Sequence, residues 1–204
     1  MKKIFAYSIL FLFSFLFLFS CKTEDDPTND NPNVYSQELN NTLKSFYTPP
    51  PIGTSFEGIF SYSFDQAPLN IYCGILLNLN WYDPADTHGI YWYFNNGVGD
   101  VLTDNNGFVK AFDSGIKIDS TLTGTWTYNA KISLDYVVNP SANKGNLAGQ
   151  GDKYIVFRAF DPDRPQLKFY GWFRATVSEN GRNVTVHSIG YQTLSNTSLR
   201  TGEL

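Results

Sequence analysis

The residues with chemical potential gather in one stretch of the chain. Asp83, Asp86 and His88 stand within six positions of one another, and Asp100 and Asp104 follow. Carboxylates in a loop suit calcium, a hard cation that takes oxygen ligands. The spacing is not that of an EF-hand, and His is a poor calcium ligand. The other histidine, His187, is 99 positions further on. These acids therefore read as solvated loop residues, and neither a metal nor a cofactor is expected. Trp81-Tyr82 and Tyr91-Trp92-Tyr93 flank the same loop. Aromatic rings at a loop mouth stack on sugar rings, and loop carboxylates bind their hydroxyls. The candidate ligand-binding set is accordingly Tyr82, Tyr91, Tyr93, Asp83 and Asp86, with a polysaccharide as ligand. The competing reading gives Trp81 and Trp92 to a core and leaves Tyr91 and Tyr93 to cover an outer sheet face.

Catalytic chemistry finds less support. No Gly-x-Ser-x-Gly elbow, phosphate loop or dinucleotide fingerprint occurs. A glycosidase needs two opposed carboxylates, yet Glu57, Glu179 and Glu203 are the only glutamates after residue 54. Asp135 is the least unsuitable acid and has no evident partner. Cys73, on an apolar strand face, reads as a small core residue. No catalytic residue is assigned, and the chain is not expected to be an enzyme. Asp119-Ser120-Thr121 fits an Asp-Ser/Thr-x pattern for O-glycosylation at Ser120.

The elements that must position these residues are strands. Apolar residues alternate with period two almost throughout residues 55–204. Ser55–Phe64, Asn70–Tyr82, Ile90–Asn95 and Lys131–Val138 read as strands, with a bend or bulge near Gly74 because thirteen residues is long for one strand. Short strands are expected at Phe108–Phe112, Gly115–Ile118 and Gly124–Tyr128. Tyr154–Phe160, Gln166–Ser178 and Asn183–Tyr191 follow, the last two joined through Asn180-Gly181, a strong hairpin signal. The predicted fold is all-β, an antiparallel β-sandwich of jelly-roll type. At 150 residues it is large enough to bury a core without staples.

Residues 1–20 read as a signal peptide. Lys2 and Lys3 precede the run Ile4–Phe19, whose sixteen residues cover about 24 Å as a helix, short of a bilayer's roughly 30 Å. Leu18-Phe19-Ser20-Cys21 resembles a bacterial lipobox, which makes Cys21 the lipid attachment site. The acidic run Glu24-Asp25-Asp26 resembles a surface-export signal of Bacteroidota lipoproteins. Residues 21–54 then form a Pro-rich, acidic tether. Within it Tyr35, Leu39, Leu43 and Phe46 predict one short helix packed on the domain edge. Removing the leader leaves 184 residues with 11 Phe, 12 Tyr and 4 Trp, and a net charge of −6. That charge leaves no basic footprint for nucleic acid.

The C-terminal third carries a further likeness. Tyr154-Ile155-Val156-Phe157-Arg158, Tyr170-Gly171-Trp172-Phe173-Arg174, Glu179-Asn180-Gly181 and Val184-Thr185-Val186-His187 lie in order before Gly202. Together they resemble a β domain of secreted and surface proteins of Bacteroidota, a family with no established activity. The resemblance implies a β-sandwich and an extracellular location, and it brings no site residues. The expected protein is anchored in the outer membrane by lipid and faces the medium. It serves as a binding or structural module whose partners are the membrane and a polysaccharide or surface protein. The alternatives are a subunit of a larger cell-surface complex, or a hydrolase with an unrecognised carboxylate site.

Overall fold

The computed structural model describes residues 31–44, 56–64, 71–79, 87–94, 98–136, 144–161, 163–181 and 183–204. Cys21, Tyr82, Asp83 and Asp86 lie outside them. Period-two sequence becomes strand at most of the described alternating runs. Among the described residues the strands are β1 (Val34–Lys44), β2 (Phe56–Phe64), β3 (Ile71–Leu79), β4 (Thr87–Phe94), β5 (Gly99–Thr103), β6 (Lys117–Ile118), β7 (Thr125–Thr127), β8 (Asn129–Tyr136), β9 (Asp152–Asp161), β10 (Arg164–Val177), β11 (Asn183–Gln192) and β12 (Leu199–Arg200). They pair antiparallel as a six-stranded sheet β1-β11-β10-β9-β5-β7, a four-stranded sheet β2-β3-β4-β8 and a small ribbon β12-β6. The protein is all-β, with no helix among the described residues.

Strand β10 shows how the core is organised. Alternate side chains point to opposite faces. Phe169, Phe173, Ala175 and Val177 enter one cluster, which also holds Ile155, Phe157, Val184, Val186 and Ile189 of the six-stranded sheet. Ile90, Trp92, Phe94, Ala130 and Ile132 of the four-stranded sheet belong to the same cluster. Trp92 meets Phe173 edge-on at 4.6 Å between centroids, so side chains of the two sheets touch in one core. Tyr170 and Trp172 point the other way, into a second cluster with Leu102, Val156, Ile118 and Leu199. The β12-β6 ribbon thus covers the opposite face of the six-stranded sheet. The buried indole N–H groups of Trp92 and Trp172 have no hydrogen-bond partner, so both rings serve as packing mass.

Two glycines let these rings lie flat on the sheet. A Cβ at Gly171 would overlap the ring of its cross-strand partner Phe157, and one at Gly190 would overlap the Trp172 indole. The β10–β11 turn closes as its sequence predicts, with Gly181 at φ +74° and Ser178 N–H bonded to the Asn183 carbonyl at 2.9 Å.

Several expectations are corrected. The predicted helix is instead strand β1, paired with β11 from Val34↔Gln192 to Lys44↔Asn183. Positions 35, 39 and 43 are four apart, and four is close to one helical turn and is also two strand repeats. Tyr35 and Leu39 pack on the main core as same-face strand residues. The sheet therefore begins within the segment expected as tether. Strand β3 runs through Gly74 with unbroken register on both sides, so no bulge interrupts it there. Thr87, His88 and Gly89, expected in a loop, are the first residues of β4. Phe108, Val109 and Phe112 form only isolated bridges rather than a strand. Strand β5, buried at Val101 and Leu102, was not foreseen, because its alternation is too short to stand out.

Candidate functional site

The described members of the aromatic set are Tyr91 and Tyr93. In β4 the chain alternates Tyr91, Trp92, Tyr93, Phe94, and Trp92 and Phe94 are buried at 0% and 3% exposure. Tyr91 and Tyr93 face outward and are half-buried. Tyr91 pairs with Lys131 and Tyr93 with Asn129 of β8. Tyr128, immediately before β8, is 60% exposed. Tyr128 lies at the junction of β7 and β8, where the sequence offers no signal that its ring is exposed. The structure therefore sorts the aromatic run as alternation demands: Trp inward, Tyr outward.

Of the acids considered for calcium, Asp100 and Asp104 lie among the described residues and are already engaged. Asp100 Oδ2 accepts from Arg158 Nε at 2.9 Å and from Nη2 at 2.6 Å. The Arg158 guanidinium also lies over the Trp126 ring at 4.6 Å. Arg158 is thus a stacked structural cation beside Trp126. Asp104 Oδ1 accepts from the N–H groups of Asn106 and Phe108, and Oδ2 accepts from Asn146. Burial pushes the Asp104 carboxyl up, but these donors outweigh it and hold the carboxyl below its ordinary value. Among the described residues no three His, Cys, Asp or Glu side chains gather to hold a metal ion.

Ser120 stands exposed in a turn. Its neighbour Asp119 is bound to Lys117 at 2.8 Å and to the Thr121 hydroxyl at 2.6 Å. Those bonds, the Lys117 one foremost, bring the Asp119 carboxyl down to about 2.

One polar row has no counterpart in the sequence pattern. It crosses strands β9, β10, β11 and β1 on the outer face of the six-stranded sheet. Thr176 Oγ1 donates to Asp152 Oδ1 at 2.5 Å and lies 2.7 Å from His187 Nε2. His187 Nε2 is 3.3 Å from Asp152 Oδ1. Arg174 reaches Glu38 of β1 at 3.5 Å, while its own Nε is buried with no hydrogen-bond partner. A register shift after Arg174 brings His187 onto this face: Arg174 pairs with Ser188 and Ala175 with Val186. No local sequence signal announces that bulge.

The row contains a hydroxyl, an imidazole and a carboxylate, the types used in nucleophilic catalysis. Its wiring differs. The Thr176 proton points at Asp152, so the Thr176 oxygen accepts from His187 Nε2–H. The imidazole then acts as donor and not as base. The Thr176 bond foremost, with the charges of His187 and Arg174, lowers the Asp152 carboxyl against a burial effect that raises it. A depressed carboxylate is a weak base for a hydroxyl. The backbone of Thr176 is in ladders on both sides, opposite Asp152 and Thr185, so its own amide is not set aside for an oxyanion. The row suits cross-strand linkage better than bond cleavage.

Compared with known proteins, the chain matches no family model, no curated protein and no solved structure.

Proposed function

We propose that the protein is a lipid-anchored, surface-exposed β-sandwich module that binds a polysaccharide through the outer face of the four-stranded sheet. The observation that carries this reading is the sorting of β4: Trp92 and Phe94 fill the core, while Tyr91 and Tyr93 turn outward. Tyrosine rings on a sheet face offer flat apolar surface with a polar edge, which matches the alternating faces and hydroxyls of a sugar. The Cys21 lipobox-like run and the acidic residues behind it support the anchor and the outward orientation. The outer-membrane location rests on the same residues. The layering is supported by contacts between Trp92 of one sheet and Phe157 and Phe173 of the other.

Affinity electrophoresis and glycan-array binding of the intact chain test the reading. Tyr91→Ala with Tyr93→Ala should weaken retention at least about tenfold, the loss of about 1.4 kcal/mol. Unchanged retention, with an unchanged melting curve, removes this face as the binding surface.

A further inference from the structure

Exposed apolar side chains collect where the N-terminal segment joins the fold. Among the described residues, Ile116, Leu194 and Leu204 stand 38%, 48% and 53% exposed. Hydrogen bonds tie their three segments to one another. Ile116 N–H donates to Thr201 Oγ1 at 2.9 Å, and Thr201 N–H donates to the Ile116 carbonyl at 2.9 Å. Asn31 N–H donates to the Leu204 carbonyl at 2.7 Å, and Asn31 Nδ2 donates to Glu203 at 3.0 Å. Thr193, next to Leu194, donates to the Asn33 carbonyl through its N–H at 2.7 Å and its hydroxyl at 2.8 Å.

The charges within this stretch are tied down. Lys117 pairs with Asp119, and Asp113 with Lys153. Glu203 also accepts from the Arg200 N–H, and the Arg200 guanidinium donates to the Gly115 carbonyl. Apolar side chains among hydrogen-bonded charged groups form a surface that can meet both lipid headgroups and acyl chains.

Cys21 and Asn31 are ten steps apart along the chain. Even fully extended, such a segment reaches at most about 35 Å. Val34 pairs with Gln192 at one end of β11, and Lys44 with Asn183 at the other. Nine steps along β11 cover about 30 Å, so the β10–β11 turn lies a strand's length from the Asn31 end. An anchor at Cys21 holds the Asn31 end close to the bilayer and allows the turn to stand away.

We propose that the surface formed by Ile116, Leu194 and Leu204 rests on the lipid bilayer that holds Cys21. The inference rests on the anchor reading above and deepens it: the domain does not swing freely but seats one face on the membrane.

The test uses the full lipidated chain in phosphatidylcholine vesicles doped with doxyl lipid. Cys73→Ala leaves one introduced thiol for an environment-sensitive fluorophore, at Leu194→Cys, Ile116→Cys or Glu179→Cys. Flotation reports the anchor, and quenching reports the seated face. All three labelled chains should float, with quenching at 194 and 116 at least about twice that at 179. Equal quenching at the three positions, or stronger quenching at 179, overturns the seated face and leaves the anchor standing. A chain that does not float overturns both. A blue shift at 194 that follows protein concentration and ignores lipid gives the surface to a second copy and overturns the proposal.

Discussion

Thr176 sits between Asp152 and His187 in the polar row, and its neighbours decide what the row does. Its hydroxyl satisfies Asp152 while it faces His187, and Arg174 lies one step along the same strand face. The folded-state value of Asp152 lies below the ordinary 3.8. Its contribution to stability is therefore complete above that value and disappears as pH falls through the folded one. Asp152 is 56% exposed, so solvent screens much of the effect. Asp152→Asn should cost about 0.5–1 kcal/mol at neutral pH in urea denaturation. The gap from the parent chain should close below pH 3.8, and a gap that widens in acid would show the carboxylate to be unpaired. A second residue-scale test concerns Gly171, where the Phe157 ring leaves no room for a methyl group. Gly171→Ala should destabilise by about 1–3 kcal/mol through overpacking, read as a lower denaturation midpoint at unchanged slope.

Strand β1 is the element whose identity changes the protein's boundaries. It covers the edge of β11 with nine paired positions, and Tyr35 stacks near Tyr191 at 5.0 Å. Burial, with Tyr35 alongside, raises the Tyr191 hydroxyl to about 12. If residues 21–54 were tether throughout, a chain starting at Ser45 would melt like the parent. The pairing predicts otherwise. A chain starting at Asn31 should keep the parent transition, while one starting at Ser45 should melt at least about 10 °C lower, the equivalent of roughly 3 kcal/mol. Identical calorimetric midpoints for the two chains would contradict the strand. The edge itself is blunted: a register shift between Glu38 and Asn41, with Asn40 at φ +49°, bends β1 out of a continuous ladder. Such a break discourages addition of another strand.

At the scale of the whole molecule, the six-stranded sheet is buried on both faces at its centre. Strand β10 supplies Phe173 to one cluster and Trp172 to the other. That double burial accounts for the aromatic content of the chain better than a binding groove does, since most described rings have a packing partner. The proposed anchoring makes a prediction at this scale. Protease added to intact cells should release a soluble body whose N-terminus lies shortly before Asn31, where the paired structure begins. Mass spectrometry of the supernatant identifies that terminus, and protection on intact cells with release only after lysis would place the domain inside.

The sequence by itself determined the all-β class, most strand positions and the β10–β11 hairpin, because period two and an Asn-Gly turn are local properties. It also showed which of Tyr91, Trp92 and Tyr93 would share a face. It misjudged β1, since apolar residues four apart satisfy a helix and a strand alike, and only pairing with β11 decides between them. It gave no sign of the Asp152–Thr176–His187 row. Those three residues come from three strands, and a bulge in the β10–β11 pairing brings them together. Contacts between strands are the property that local periodicity does not encode, and the tertiary structure decided them.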